Sequence, residues 1–393
     1  MASTTAQRTT RPGILARHPL ARDALAVWGG QHILLIALVV LWQSIAGRLS
    51  PGFFFHVWTA WDGRLYATIA RGGYTQLRQT AFYPLFPLLE HVLAPLAGGS
   101  AEGAGLIVAN AAGLGVFALL WLLVERDMGQ RVARRTLLFL ALFPVGLFLA
   151  CSYTESLFLL LALGTFLALR ERRWLLAGAL IALATLTRAT GLALLLPFTV
   201  AAVEALSSRL SALSPRRRLR ESAAVGLPAL LPLATLVTWQ MATSLRFGVP
   251  GAIGRAEALY WGRWLDWPWV GLFQSASMVT AHPPSIASMD LFFALLWLGI
   301  ACAMLLPSAH ALPRTYVAYT WALLILALAT PVHVPGDSPL VSVSRYMLLA
   351  FPCFVRVAQA STHSRLLYYA MLAASSVGLV VLSWHLAQGA FIA

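Results

Sequence analysis

The most constraining feature of this sequence is a series of long apolar stretches that recurs along all 393 residues. A helix of about 20 apolar residues crosses a hydrocarbon layer roughly 30 Å thick, because an α-helix rises about 1.5 Å per residue. Only 11% of the residues are charged, whereas an ordinary soluble domain has about 25%. The sequence therefore excludes a soluble globule with a single core and predicts an all-α polytopic membrane protein.

The hydropathy pattern predicts about 11 transmembrane helices. The predicted spans are 31–47, 104–124, 136–151, 154–169, 174–187, 190–206, 223–244, 289–307, 315–331, 346–360 and 366–387. Two intervening segments, 48–103 and 245–288, are rich in aromatic residues, which is typical of structured loops along the headgroup layer. No repeat or low-complexity linker divides the chain, so we expect one transmembrane domain over residues 1–393, with 1–28 as a cytoplasmic N-terminal segment.

The basic residues predict the orientation of the chain in the membrane. The formal net charge is +14, and all 28 basic residues are arginine. Arginine clusters, such as those around Arg134, Arg172 and Arg217, fall in alternate loops, which indicates the positive-inside rule rather than a nucleic-acid surface. This pattern predicts a cytoplasmic N-terminus and places loops 48–103 and 245–288 on the non-cytoplasmic side. The absence of lysine excludes a Walker-type phosphate loop and a Schiff-base enzyme.

Charged residues at or within apolar spans are functional candidates, because an unpaired charge is costly there. Outside the arginine clusters assigned to the cytoplasm, these residues are Asp62, Arg64, Arg71, Glu90, Glu155, Arg188, Arg263, Asp266, His333, Asp337 and Arg345. The predicted topology places all of them on the non-cytoplasmic side. Acids and arginines that converge on one face are what a reaction site requires.

Two carboxylates have both a catalytic and a structural interpretation. Asp62 lies among aromatic residues just after the first span, where it could act as a general base. It could equally cap a helix or pair with Arg64 at the surface. Glu155 lies in a short turn between two apolar helices, where it could belong to a site or interact with a helix dipole, with Thr154 as the cap.

Two arginines lie on the side that the positive-inside rule depletes of arginine. Arg188 stands in a polar break between apolar stretches, and Arg345 opens a later span. Each could extend to the interface by snorkelling. Each could instead bind an anionic ligand such as a phosphate, whose oxygens a planar guanidinium contacts in pairs.

The sequence gives little support for a metal site. A lone loop histidine such as His333 is more often solvated than a ligand, and no D-x-D pair supplies hard oxygen ligands for a divalent ion. The cysteines are not at zinc spacing. We therefore expect no metal ion and no cofactor.

Six short motifs in order resemble the PIG-V-type mannosyltransferases, the GPI mannosyltransferase II family. The motif that contains Asp62 reads WDGRLYATIARGGY, and the others include AFYPLFPL, SYTESLF and TRATG. The matching segments are 61–74, 81–88, 152–158, 187–191, 247–250 with 260–263, and 344–346 with 351–352. The resemblance covers residues from about 58 to 354.

This resemblance implies a GT-C-type bundle and an inverting glycosyltransferase. The enzyme would move a hexose, with mannose as the expected sugar, from a polyprenyl-phosphate donor to a lipid-linked or glycan acceptor on the non-cytoplasmic face. Asp62 would be the catalytic base. The donor phosphate would be bound by Arg345, Arg188 and Arg263, and the substrates would be positioned by Trp61, Tyr66, Tyr74, Tyr83, Glu155 and His333.

A polyprenyl-linked sugar flippase or transporter is the alternative function, and a membrane scaffold is a third. A transporter should have ionisable residues near the bilayer midplane and broken helices in related halves, whereas these charges collect at one surface. The composition, with arginine as its basic residue and much alanine and leucine, is typical of a prokaryotic homologue in a cell membrane. The partners expected are membrane lipids, the donor and an acceptor, which the sequence does not identify, and no nucleic acid.

Overall fold

The computed structural model describes residues 18–207, 214–281, 286–306 and 312–392. The first 17 residues of the predicted N-terminal segment 1–28 lie outside this range, as does 307, the last residue of the predicted span 289–307. The described α-helices are α1 (His18–Ile45), α2 (Pro51–Trp58), α3 (Asp62–Gly72), α4 (Leu85–Leu93), α5 (Ala101–Met128), α6 (Gln130–Ala141), α7 (Glu155–Arg170), α8 (Trp174–Thr185), α9 (Leu195–Ser207), α10 (Pro215–Gly226), α11 (Leu230–Phe247), α12 (Ala252–Trp261), α13 (Val270–Ala281), α14 (Ile286–Ala303), α15 (Arg314–Leu328), α16 (Val343–Leu349), α17 (Phe351–Ala360) and α18 (Arg365–Ala387).

The predicted all-α polytopic architecture is confirmed. Within the described ranges, β pairing is limited to an isolated bridge between Arg263 and Val332. Six helical segments among the described residues are long and apolar enough to cross a membrane. They are Arg22–Ile45, Ala101–Met128, Ala189–Ser207, Pro215–Phe247, Ile286–Ala303 and Arg365–Ala387.

The predicted count of 11 transmembrane helices is not confirmed. Five of the predicted spans, namely 136–151, 154–169, 174–187, 315–331 and 346–360, correspond to shorter or divided helices. The 16 residues of α7 rise only about 24 Å, which is less than the hydrocarbon thickness of roughly 30 Å. The span 346–360 is divided at Ala350, just before Pro352, because proline disfavours continuation of a helix through the preceding turn.

Helix α7 lies in the centre of the bundle, where it packs against α5, α8 and α16. Phe158, Leu159 and Leu163 on α7 are fully buried. A helix that is apolar on every face is typical of such a buried position, in protein as well as in lipid. Hydropathy alone cannot separate these two surroundings, so the predicted count of 11 spans stays a prediction.

Helix α5 connects the arginine-rich end of the bundle with the opposite end, which carries the site described next. Its 28 residues rise about 42 Å. Near its C-terminal end, Asp127 pairs with Arg170, and the neighbouring α6 contributes Arg134, which pairs with Asp23 at 2.5 Å. Near its N-terminal end, Gly105 lies against Ser152. Arginine clusters that the sequence assigns to the cytoplasm are therefore at the far end of α5 from the site described next.

Candidate active site

A cavity of about 1130 Å³ opens where the two predicted loops, 48–103 and 245–288, meet the segment before α16. Its walls come from α2, α3 and α12, from residues 332–346, and from the C-terminal residues Gly389 and Phe391. Asp62, Arg188 and Arg345 all line it. The structure thus brings three predicted site residues, which are far apart in sequence, to one cavity.

Four charged side chains form a connected cluster at the base of this cavity, which we call the Asp62–Arg345–Glu155–Arg188 tetrad. Arg345 donates from Nη1 to Asp62 Oδ2 at 2.9 Å and from Nη2 to Glu155 Oε1 at 2.7 Å. Its Nε donates to the same Glu155 oxygen at 2.9 Å. Arg188 Nη1 donates to Glu155 Oε1 at 2.8 Å and to Thr154 Oγ1 at 3.2 Å.

The tetrad pairs two carboxylates with two guanidinium groups, so its formal charges cancel. The Glu155 side chain is fully buried, and those of Arg345 and Arg188 are 7% and 14% exposed. Charges at such depth are tolerated only when they are paired and hydrogen-bonded. The Asp62 side chain is 27% exposed, so it is the carboxylate of the tetrad that a substrate can reach.

Asp62 is the first residue of α3, and the chain enters this helix through a strained backbone. Trp61 has φ 55° and ψ −117°, a conformation that a residue with a Cβ rarely adopts and that costs of the order of 1–3 kcal/mol. A carboxylate at a helix N-terminus is favoured by the helix dipole. A Cβ on Gly63 would lie 2.9 Å from the carbonyl oxygen of Ser152, so glycine there lets α3 approach the turn that leads to Glu155.

The turn before Glu155 is fixed against the segment before Asp62 by long-range hydrogen bonds. The Ser152 amide donates to the Trp58 carbonyl at 2.9 Å, and the Tyr153 hydroxyl donates to the Ala60 carbonyl at 3.0 Å. These bonds set the separation between the two carboxylates of the tetrad. Thr154 precedes α7 without capping it through its side chain; its Oγ1 accepts from Arg188 instead.

Arg345 is held between aromatic rings as well as between carboxylates. Its Cζ lies 4.8 Å from the Phe148 ring centroid and 4.9 Å from that of Tyr153. Helix α16, which carries it, begins after Ser342, whose φ is +70°. The described residues contain three non-glycine residues of positive φ, namely Trp61, Arg172 and Ser342. Two of them directly precede the helices that carry Asp62 and Arg345, and backbone strain of this kind is typical of functional sites.

Three of the predicted substrate-positioning aromatic residues line the cavity: Trp61, Tyr66 and Tyr83. Tyr66 lies one helical turn after Asp62 and packs edge-on against Phe82, with ring centroids 5.1 Å apart. Tyr74 is not among the lining residues; its hydroxyl donates to the Phe82 carbonyl at 2.8 Å. Its predicted contact with substrate stays a prediction.

Arg263 and His333 connect the segment that follows α12 with the segment between α15 and α16, and these two segments form one side of the cavity. Arg263 lines the cavity but donates from Nη1 to the Thr330 carbonyl at 3.1 Å and from Nη2 to the Val341 carbonyl at 2.8 Å. His333 is not a lining residue. It stacks on Trp264 with ring centroids 3.8 Å apart, and its Nε2 lies 3.2 Å from Asp266 Oδ2. The Trp267 amide and then His333 lower the pKa of Asp266, so this carboxylate is ionised at neutral pH.

Glu257 is a site residue that the sequence did not predict. This residue lies on α12 and lines the cavity. Burial raises its pKa, although Arg263 acts in the opposite direction. The available signal was an acidic residue one turn before the aromatic pair Tyr260 and Trp261, in a segment with few other acids.

Glu90 was a candidate by sequence but had no assigned role. It is fully buried and accepts a hydrogen bond from Ser152 Oγ at 3.2 Å, while its Oε2 atom has no hydrogen-bond partner among the described residues. It therefore supports the turn before Glu155 from behind and does not line the cavity. Among the described residues, no group of three or more His, Cys, Asp and Glu side chains is arranged to hold a metal ion. The expectation that no metal or cofactor is needed stays a prediction.

Comparison with known proteins gives the family. The family model described as mannosyltransferase (PIG-V) matches residues 44–265. The protein named GPI alpha-1,6-mannosyltransferase 2 of Mus musculus is 30% identical over 203 residues, which are 49% of this chain and 41% of that protein. Its namesake in Rattus norvegicus is 33% identical over 142 residues, which are 34% of this chain and 29% of that protein.

These matches span less than half the length of either relative. Among solved structures, an oligosaccharyltransferase of Archaeoglobus fulgidus in its apo form overlaps with a TM-score of 0.43 at 14% identity, over 94% of this chain and 56% of that one. ArnT of Cupriavidus metallidurans bound to undecaprenyl phosphate overlaps with a TM-score of 0.38 at 14% identity, over 92% and 78%. The family model matches more than half of the chain, and its matched region contains Asp62, Glu155 and Arg188. This integral membrane protein belongs to the mannosyltransferase (PIG-V) family.

Proposed function

We propose that the protein is an inverting glycosyltransferase that moves a hexose, with mannose as the expected sugar, from a polyprenyl-phosphate donor to a lipid-linked or glycan acceptor. The observation that carries this proposal is the position of Asp62. Its carboxylate is held at 2.9 Å by Arg345, is 27% exposed and lines a cavity of about 1130 Å³. Ligand pockets typically measure about 300–1,000 Å³, so there is room for a sugar and an acceptor together.

The proposed reaction is a single displacement. Asp62 accepts the proton of an acceptor hydroxyl while that oxygen attacks the anomeric carbon of the sugar. The bond from the anomeric carbon to the phosphate oxygen breaks, and its electron pair leaves with the polyprenyl phosphate. The anomeric carbon passes through an oxocarbenium-like state and is inverted. Nearby guanidinium groups stabilise the negative charge that develops on the phosphate.

From the sequence, Arg345, Arg188 and Arg263 were predicted to bind the donor phosphate, and this prediction remains part of the proposal. Arg345 and Arg188 contact carboxylates, and Arg263 contacts carbonyl oxygens. The charges of these guanidinium groups are thus partly compensated before a donor binds. We expect them to act at the base of the cavity, close to Asp62.

We test the function with purified protein and a polyprenyl-phosphate hexose that carries a radiolabelled sugar. An enzyme releases polyprenyl phosphate and labels the acceptor, whereas a flippase or transporter moves the donor intact. Asp62→Asn should lose about two orders of magnitude or more in rate, since general-base catalysis contributes about 10²–10⁴-fold. Asp23→Asn is the matched control, because Asp23 also pairs with an arginine but does not line the cavity.

Asp62→Asn also removes an ion-pair partner of Arg345, so a second variant separates the two effects. In the double variant Asp62→Asn/Arg345→Gln, Glu155 and Arg188 remain as a neutral pair. If Asp62 only neutralises Arg345, the double variant should turn over no more slowly than Arg345→Gln alone. If Asp62 is the base, the double variant should be slower than Arg345→Gln by about two orders of magnitude or more, and equal rates for these two variants would eliminate the catalytic assignment.

The proposed reaction takes place on the non-cytoplasmic side, with the N-terminus in the cytoplasm. The support is the distance along α5 between the arginine-rich end and the cavity. Single cysteines placed in 48–103 and 245–288 should react with an impermeant reagent in intact cells. Protection of both segments would overturn this orientation.

A further inference from the structure

Four arginines line the cavity, and three of them already have anionic or carbonyl partners. Arg188 and Arg345 belong to the tetrad, and Arg263 donates to two backbone carbonyls. Arg64 is different. Within the described residues, its guanidinium contacts neither a carboxylate nor a carbonyl oxygen; its side-chain hydrogen bond is to the His56 ring, at 2.9 Å from Nη2 to Nδ1.

His56 sets the position of this guanidinium without neutralising it. Burial and the neighbouring charge of Arg64 lower the pKa of His56, so at neutral pH the imidazole is uncharged and accepts a hydrogen bond. A neutral acceptor leaves the positive charge of Arg64 uncompensated. The remaining N–H groups of its planar fork are available for a phosphate.

An apolar rim lies beside Arg64. Trp61 and Phe391 line the same cavity, are 49% and 39% exposed, and have ring centroids 5.4 Å apart. The Trp61 indole N–H donates to the Gly389 carbonyl at 3.2 Å, which holds the C-terminal segment against α3. An uncompensated cation next to exposed aromatic rings matches a ligand that has an anionic head and an apolar chain.

We infer that Arg64, positioned by His56, is the entrance contact for the phosphate of a prenyl-phosphate ligand, whose chain lies over Trp61 and Phe391. This inference rests on the proposed function for the identity of the ligand as the sugar donor. Binding at Arg64 displaces no carboxylate, in contrast to binding at Arg345 or Arg188. The ligand therefore meets the free guanidinium at the rim before it reaches the tetrad.

Direct binding tests the inference without relying on turnover. Farnesyl phosphate is the probe, with farnesol as the neutral chain and inorganic phosphate as the anion without a chain. Arg64→Gln should weaken farnesyl phosphate binding by about tenfold or more, because a charge-assisted hydrogen bond is lost, and should leave farnesol binding unchanged. Arg71→Gln is the matched control, since Arg71 lies on the same helix, pairs with Glu102 and does not line the cavity.

Further variants distinguish recognition from folding. Arg64→Lys should recover only part of the affinity, because an ammonium group lacks the planar fork. His56→Ala should weaken farnesyl phosphate binding less than Arg64→Gln does. In a protein that already carries Arg64→Gln, His56→Ala should cause no further loss of affinity. If His56 is only structural, His56→Ala should still weaken binding in that protein. If the prenyl chain contributes to affinity, inorganic phosphate should compete only weakly with farnesyl phosphate. Competition by inorganic phosphate that is as strong as that by farnesyl phosphate would mean that the site binds only the anion, and it would overturn the lipid assignment.

Equal affinity of the wild-type protein and Arg64→Gln for farnesyl phosphate, or no binding by the wild type, would overturn the inference. Arg64→Gln can also lose affinity in a protein that releases no polyprenyl phosphate from a labelled donor. In that case the phosphate contact stands and the proposed function fails. The two conclusions are therefore separable in one set of experiments.

Discussion

Glu155 is the most sensitive point of the tetrad, because one of its oxygens accepts from both arginines. Glu155 Oε1 receives three hydrogen bonds, of 2.7 and 2.9 Å from Arg345 and 2.8 Å from Arg188, and its side chain is fully buried. Glu155→Gln keeps an oxygen at this position but removes the charge. Arg345 then keeps Asp62 as its carboxylate partner, whereas Arg188 loses the carboxylate that it contacts.

The size of the effect follows from burial. Breaking a buried ion pair by neutralising one partner costs about 3–5 kcal/mol, because the remaining charge is left uncompensated. We expect Glu155→Gln to reduce the free energy of unfolding by an amount in this range. The matched control is Glu102→Gln, which breaks the ion pair between Glu102 and Arg71. The side chain of Arg71 is 53% exposed and that of Glu102 is 31% exposed. An exposed pair contributes about 0–1 kcal/mol.

The assay is denaturant unfolding of the detergent-solubilised protein, followed by loss of helical signal. A double-mutant cycle with Arg188→Gln isolates the interaction. The double variant Glu155→Gln/Arg188→Gln retains Arg345 and Asp62 as a neutral pair, so it should be less destabilised than the sum of the single variants by about 0.5–3 kcal/mol. Additive single effects, or a loss for Glu155→Gln no larger than for Glu102→Gln, would refute the argument that charge compensation holds the site together.

Three further outcomes are expected. Arg345→Lys should reduce turnover although the charge is kept, because Arg345 contacts Asp62 and Glu155 through separate nitrogens of its planar fork. Arg345→Ala should reduce turnover further. Wild-type rates for both variants would leave Arg345 without a role in the reaction. Activity should survive exhaustive EDTA treatment, because the sequence has no D-x-D pair, and a loss restored by magnesium or manganese would contradict this. Gly105→Ala should destabilise the protein by about 1–3 kcal/mol, since a Cβ would overlap with Ser152 Oγ and Glu90 Oε1. Gly30→Ala, which has open space around it, is the control in the same unfolding assay.

The sequence predicted the helical membrane architecture and the residues of the tetrad, but it could not predict their partners. Asp62 and Arg345 are 283 positions apart, and Glu155 and Arg345 are 190 apart. Local patterns carry no information about such pairs, so the sequence could not predict that Arg345 and Arg188 pair with carboxylates. Hydropathy likewise could not predict that α7 is surrounded by protein, because a helix in protein and a helix in lipid have the same apolar faces.

The pairing changes how the individual residues can be interpreted. A cation that neutralises a buried carboxylate is needed for folding whether or not it touches substrate, so a loss of activity in Arg345 or Arg188 variants does not identify a phosphate ligand. Arg64 carries no such structural duty, since its guanidinium contacts the neutral His56 ring and no carboxylate among the described residues. An effect of Arg64→Gln on phosphate binding therefore reports recognition directly. Charge at the base of the cavity is used to hold Asp62 in place, and uncompensated charge is left at the rim, where an incoming anion first makes contact.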